Sequence, residues 1–213
     1  MLASAFIAFA LAASALAVPT LFEARQNNPC AGFASGSTDT PGYNFTLHAV
    51  PVGASANDTG ELLVFGYGPE GGSSPAAGLL ALTTEASWGQ NQWPFSSMQN
   101  GSVYPQPGPQ EQGLYAYSNG ANAGQEVIFV DTTAQEDIFT LTSVGAGSFC
   151  AALVDDVVAL AVNGDTNSFS LCNATSNWVE GQVNVVYSPV ANNTDYIYDT
   201  CSPVRVELIS YYG

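Results

Sequence analysis

The strongest constraint on the fold is a succession of short apolar segments separated by turn signals. The clearest segment, 43–50, alternates with period two and places Tyr43, Phe45, Leu47 and Ala49 on one face. Such a pattern, about eleven short strands with turns every 8–12 residues or so, is typical of a β-sandwich or barrel. We therefore predict one all-β domain over residues 30–213, with a β-trefoil as the alternative. The other predicted strands are 61–68, 78–84, 113–118, 125–133, 138–144, 148–154, 157–162, 168–172, 182–188 and 204–211.

The segments between these strands carry recognisable turn residues. Asp155-Asp156 and Asn163-Gly164-Asp165 are predicted turns, and Asn119-Gly120 is a turn signal before the strand at 125–133. Between Trp88 and Pro109 the chain is rich in Gln, Asn, Pro and Gly. We predict a long irregular excursion there, and long loops often carry function.

The N-terminus is typical of an exported protein. Residues 2–17 are apolar or small and end in Ala15-Leu-Ala17, so we predict a signal peptide over 1–17 and a flexible tail over 18–29. The stretch is short for a membrane span of about 20 residues, so no membrane association is expected after cleavage. A second cleavage after Arg25 is an open alternative to an ordinary tail.

The cysteines and sequons agree with export. An even number of cysteines in an exported chain implies two disulfides with three possible pairings. We favour Cys30–Cys150 together with Cys172–Cys201, which closes a loop of about 30 residues. Five N-x-S/T sequons predict N-glycosylation at Asn44, Asn57, Asn100, Asn173 and Asn192.

The charge balance excludes several functions. The 213 residues contain 2 basic side chains, 18 acidic ones and 1 His, for a formal charge of −16. Nucleic-acid binding has no electrostatic basis in such a chain, and lysine Schiff-base chemistry is impossible because Lys is absent. His48 lies on the polar face of its strand without a nucleophile motif, so a structural role is expected. No cofactor or metal motif is present, and the sequence leaves the oligomeric state open.

Two chemistries remain as alternatives to a purely structural role. A glycosidase needs two carboxyls about 5–10 Å apart, but the adjacent pairs Asp155-Asp156 and Glu136-Asp137 are more typical of solvated turns. Glu126, Asp131 and Asp137 are the other carboxyls that could converge. Carbohydrate contact is the second possibility, because flat aromatic faces and neighbouring amides suit sugar rings. The candidates are the aromatic residues of the excursion, Trp88, Trp93 and Tyr104.

Motifs in the C-terminal half resemble a known family. They are Gly113-Leu-Tyr-Ala-Tyr-Ser118, Gln125-Glu-Val-Ile-Phe-Val-Asp131, Phe169-Ser-Leu-Cys172, and Cys201 followed by Val204-Arg-Val-Glu207. In order and content they resemble the fungal secreted cell-wall proteins called phialide-associated, or PhiA-like. The resemblance implies a glycosylated wall or secreted protein linked to hyphal and spore-structure development, with no catalytic residues to carry over.

These observations predict a secreted, cell-wall-associated protein without catalytic activity, with cell-wall polysaccharide as a candidate partner. A lectin-like carbohydrate-binding module is the first alternative, and a carboxylate-dependent glycoside hydrolase is the second.

Overall fold

The computed structural model describes residues 28–55, 58–68, 77–133, 147–175 and 181–212. These ranges form thirteen strands, β1 (Phe45–Pro51), β2 (Glu61–Tyr67), β3 (Ala77–Thr84), β4 (Phe95–Gln99), β5 (Ser102–Gln106), β6 (Tyr115–Tyr117), β7 (Gln125–Glu126), β8 (Ile128–Thr132), β9 (Phe149–Val154), β10 (Val157–Val162), β11 (Phe169–Asn173), β12 (Val183–Tyr187) and β13 (Ser202–Ser210). One short helix, α1 (Glu85–Trp88), and a 3-10 turn, Tyr198–Thr200, complete the elements. The prediction of an all-β chain is confirmed. The predicted signal peptide, nearly all of the tail and the predicted strand 138–144 lie outside the described residues.

Six antiparallel strands close into a barrel in the order β1-β2-β3-β12-β11-β13. The closing pair is β1 with β13, whose register runs from Phe45 opposite Ser210 to Pro51 opposite Val204. Closure removes the sheet edges that would otherwise invite association with other chains. The order interleaves early and late strands instead of repeating one strand group three times. The structure is thus the predicted barrel and not the β-trefoil.

The barrel interior holds the main hydrophobic core, and strand alternation fills it as predicted. In β1, Phe45, Leu47 and Ala49 are buried in this core, whereas Thr46 and His48 on the other face are only partly buried. The large buried aromatic residues Phe129, Phe149 and Phe169 come from other strands. Tyr43 does not follow the alternation: it precedes β1 and is 38% exposed, so its predicted inward placement is wrong.

Two hairpins extend the sheet beyond the barrel. The first, β4–β5, adds to β1 through Phe45 opposite Ser96. The second, β9–β10, adds to β13 through Ala159 opposite Glu207. The first hairpin corrects the prediction of an irregular excursion between Trp88 and Pro109.

Tight turns with positive φ close both hairpins, and another follows β10. Asp155 and Asp156, both with positive φ, join β9 to β10, and Asn163-Gly164 makes a second such turn beside the bridge from Val162 to Asp165. Both predicted turns are confirmed. Asn100-Gly101 joins β4 to β5 with φ of 48° and 72°. This Asn-Gly pair is a strong hairpin signal, and it marks the hairpin that the sequence reading missed.

Both favoured disulfides are present. Cys30–Cys150 joins residues 120 apart and holds the segment before β1 against the outer face of β9–β10. In that segment Thr38 exchanges backbone hydrogen bonds with Ala151. Cys172–Cys201 joins residues 29 apart and packs with Val186 and Tyr196 in a separate outer cluster. Each disulfide therefore fixes a covering segment to the outer face of the sheet.

Candidate functional site

The three aromatic residues predicted to contact carbohydrate do not form one platform. Trp93 is 4% exposed and belongs to the main core, so its prediction as a contact residue is wrong. Trp88 ends α1, whose N-cap is Thr84 and whose C-cap is the left-handed Gly89. The Trp88 ring packs edge-to-face on Tyr67, with ring centroids 4.9 Å apart. Tyr104 lies on β5, in the β4–β5 hairpin.

Tyr104 shares its sheet face with polar and aromatic neighbours. Opposite residues of an antiparallel pair point to the same side, and here Tyr104 is opposite Ser97 while Gln106 is opposite Phe95. The alternate residues of β4, Ser96 and Met98, are buried. Tyr104, Gln106, Ser97 and Phe95 therefore face outward. The Gln106 amide donates to Ser97 Oγ at 3.2 Å and to the Tyr104 carbonyl at 3.2 Å, which fixes the amide between them.

The chain end extends this face. The Tyr211 N–H donates to the Asn44 carbonyl at 2.8 Å, which continues the β1–β13 ladder by one residue. The Tyr211 ring stacks on Phe95 with centroids 4.7 Å apart and an interplanar angle of 18°. Tyr43 precedes Asn44 and Tyr212 follows Tyr211, so the same end of the ladder carries both tyrosines. Burial, and secondly the charge of Tyr212, raises the pKa of Tyr43. We call Tyr43, Phe95, Tyr104, Tyr211 and Tyr212 the aromatic surface.

The aromatic surface is uncharged, with Tyr43, Tyr211 and Tyr212 exposed and Phe95 and Tyr104 partly exposed. Tyr211 is 37% exposed and Tyr212 is 92% exposed. The segments that carry the surface, 41–47, 93–106 and 208–212, contain no Asp, Glu, Lys, Arg or His, although the chain has 18 acidic residues. Asn44, a predicted glycosylation site, is also exposed on this face. Sequence reasoning found Tyr104 but missed Phe95, Tyr211 and Tyr212, for which the doublet Tyr211-Tyr212 after the last strand was the available signal.

His48 has a structural environment. Its Nδ1 lies 3.0 Å from the Thr59 carbonyl and its Nε2 lies 3.1 Å from Thr46 Oγ1. A neutral imidazole satisfies both contacts by donating from Nδ1 and accepting at Nε2. Burial lowers the pKa of His48, against the opposing effects of the Thr59 carbonyl and the Glu207 carboxylate. The ring therefore bridges β1 to the loop before β2.

One ion pair crosses the outer face of β13. Arg205 donates to Glu207 Oε1 from Nε at 2.9 Å and from Nη2 at 2.5 Å. The Glu207 side chain is 8% exposed and the Arg205 side chain is 30% exposed. Arg205 is the single Lys or Arg side chain within the described ranges. Without it, Glu207 would be a nearly buried carboxylate without a cation.

Replacing Arg205 with Ala is expected to destabilise the fold by about 2 kcal/mol, less than for a fully buried pair because Arg205 is partly solvated. Urea unfolding at neutral pH measures the loss. In a Glu207→Gln background the same replacement should cost far less, since no carboxylate remains to be stranded. Equal losses in the two backgrounds would show that the Arg205 side chain stabilises by packing alone.

A buried polar cluster lies on the outer face of β3, β12 and β7. Asn184 donates to Glu126 Oε1 at 2.7 Å, and Gln182 donates to Asn184 Oδ1 at 2.7 Å and to the Tyr67 carbonyl at 2.9 Å. Glu126 is 5% exposed. Burial raises the pKa of Glu126 to about 7, although the Asn184 bond opposes the change and Asp195 adds to it. The Gln182 carbonyl and the Trp88 indole N–H are buried without a hydrogen-bond partner.

The candidate carboxyls are not opposed across a cleft in the parts of the chain that the structure describes. Glu126 is opposite Val186, which belongs to the outer cluster, whereas Asp131 is opposite Ala116, which belongs to the main core. The two carboxyls therefore occupy opposite faces of the sheet. Burial, then the Glu111 carboxylate, raises the pKa of Asp131. Asp155 and Asp156 are exposed in their turn, and Glu136-Asp137 lies outside the described residues.

The sequon asparagines are accessible where the structure describes them. Asn44, Asn100, Asn173 and Asn192 are all exposed, and Asn57 lies outside the described residues. A glycan attached to any of the four would project into solvent without disturbing the core.

Among the residues that the structure describes, no group of three or more His, Cys, Asp or Glu side chains is placed to hold a metal ion. Among the same residues no helix is long and apolar enough to cross a membrane.

No family model, curated protein or solved structure matches this chain. The PhiA-like resemblance therefore stays a prediction.

Proposed function

We propose that this chain is a secreted, N-glycosylated, cell-wall-associated protein that acts through surface contacts and not through catalysis. The observation that carries the proposal is the pair of disulfides, above all Cys30–Cys150 across 120 residues. Disulfides of this kind form and persist in oxidising compartments and are rare in the cytosol. All four cysteines are used, and the described residues contain no free cysteine.

The surface supports the same proposal. Only 9% of the residues are charged, so hydroxyls and amides must provide most of the polar surface. Four exposed sequon asparagines are positioned to add solubilising glycans. With a pI near 4.1, the protein would lose most of its charge in an acidic exterior, and glycans would then contribute more to its solubility. The wall association rests on the C-terminal motifs that resemble the PhiA-like proteins.

Fractionation of a fungal host that produces the full chain tests the proposal. We expect the protein in the medium and in the washed wall fraction, with an apparent mass that falls to that of the polypeptide after enzymatic removal of N-glycans. A variant that lacks the predicted signal peptide, residues 2–17, is the matched control and should stay inside the cell. Recovery of the full chain in the cytosol with free thiols would contradict export. Recovery in the medium alone would contradict the wall association.

A further inference from the structure

We infer that the aromatic surface binds a neutral polysaccharide chain, with Phe95 and Tyr211 as its central contacts. Its residues come from three separate parts of the chain: the segment before β1, the β4–β5 hairpin and the end after β13. Phe95 and Tyr211 are stacked nearly parallel. Tyr104 lies on β5, one strand beyond Phe95 on β4, and Tyr43 and Tyr212 are the chain neighbours of Asn44 and Tyr211 at the end of the β1–β13 ladder. From β5 across β4 and β1 to the end of β13 the arrangement spans three strand spacings, about 14 Å, which is longer than one sugar ring.

The chemistry of the face suits sugar rings. The axial C–H groups of a pyranose pack on aromatic faces, while its hydroxyls need hydrogen-bond partners at the rim. The two N–H groups of the Gln106 amide are held by Ser97 Oγ and the Tyr104 carbonyl, so the amide contributes its Oε1 as an acceptor beside the rings. The tyrosine hydroxyls add further partners. Stacked and anchored side chains also lose little conformational entropy on binding.

The absence of charge selects the class of ligand. No ionisable Asp, Glu, Lys, Arg or His occurs in the three segments of the surface, in a protein whose net charge is −16. Farther along β13, Arg205 and Glu207 neutralise each other, and burial favours the neutral form of His48. A protein partner that recognised this acidic chain by charge would find no complementary group here. A neutral glycan needs none.

The test measures by calorimetry the direct binding of the glycosylated full chain to two soluble probes, a β-1,3-glucan and an N-acetylglucosamine hexamer. We expect at least one probe to bind, with an affinity that is nearly independent of salt because no charge pair is involved. Tyr211→Ala and Phe95→Ala are each expected to weaken binding about tenfold. The matched control is Tyr198→Ala, which removes a tyrosine of similar exposure, 45%, from the 3-10 turn.

Thermal unfolding of each variant separates a lost contact from a lost fold, and Tyr211→Phe keeps the stacking ring as a second check. The inference is overturned if neither probe binds, or if Tyr198→Ala weakens binding as much as Tyr211→Ala. It is also overturned if the probes bind to the Asn44→Gln variant but not to the glycosylated protein, because the chain's own glycan would then occupy the surface. Sedimentation that shows a dimer broken by Tyr211→Ala would instead assign the surface to a second copy. The binding measurement is made on purified protein, so it stands or fails independently of the proposed wall location.

Discussion

Replacing Glu126 with Gln is expected to stabilise the protein by about 3 kcal/mol at pH 8 and to leave its stability nearly unchanged at pH 4. Burial raises the pKa of this carboxyl from 4.5 to about 7 in the folded protein. Below pH 4.5 the carboxyl is protonated in both states and carries no penalty. As the pH rises toward 7, this carboxyl ionises in the unfolded chain but stays protonated in the folded chain. The free energy of unfolding therefore decreases progressively.

The Glu126→Gln variant would keep the contacts without the titration. The carbonyl of the new amide can accept the hydrogen bond that Asn184 now donates to Glu126 Oε1 at 2.7 Å. The measurement is the free energy of unfolding in urea at several pH values between 4 and 8, for both proteins. The remaining carboxylates affect both proteins equally, so the difference between the two curves isolates Glu126. Parallel curves would contradict the assignment of this pH dependence to Glu126.

Asp195 provides a control within the same cluster. Its charge raises the pKa of Glu126 less than burial does. Asp195→Asn should therefore shift the same transition slightly toward lower pH and should have no such effect in the Glu126→Gln background. The destabilisation by Glu126 should therefore be smallest at low pH.

The sequence predicts the barrel well because its strands alternate cleanly and its turns carry strong signals. β1 and the hairpin turn at Asp155-Asp156 are examples in which pattern and structure agree. The β4 strand shows why the excursion was misread. Its inward residues are Ser96 and Met98 and its outward residues include Phe95 and Ser97, so each face carries one apolar and one polar residue and the pattern does not distinguish the buried face from the exposed one.

The placement of Glu126 and Trp93 depends on long-range packing. Alternation places Glu126 outward, but Tyr196 and Asn193 each bond the Gly124 carbonyl beside it, so the segment that Cys172–Cys201 anchors covers this face. The polar neighbours of Trp93 in the sequence predict an accessible ring, yet the residue is buried in the main core. Neither result follows from local sequence, because the covering segments lie far away in the chain. The same applies to the aromatic surface, whose three segments meet only after the barrel closes.

Removing the Cys30–Cys150 disulfide by Cys30→Ala with Cys150→Ala is expected to cost about 4–5 kcal/mol, since loop entropy grows with the 120-residue separation. The matched variant, Cys172→Ala with Cys201→Ala, opens a separation of 29 residues and should cost about 3–4 kcal/mol. Urea unfolding measures both. The denaturant dependence should also steepen, and more for the longer loop, because the unfolded chain becomes more extended. A larger cost for the shorter loop would show that packing of the outer clusters decides the effect.

The two losses together are comparable with the total stability of a domain, about 5–15 kcal/mol. The fully reduced chain is therefore expected to be largely unfolded under conditions in which the oxidised chain is folded. Circular dichroism of the protein with and without a thiol reductant at neutral pH measures this difference. A reduced chain that keeps its β signal and unfolds at the same urea concentration would remove the physical link between the disulfides and export. If the reduced chain unfolds, folding itself requires an oxidising compartment, and a copy retained in the cytosol would not assemble the aromatic surface.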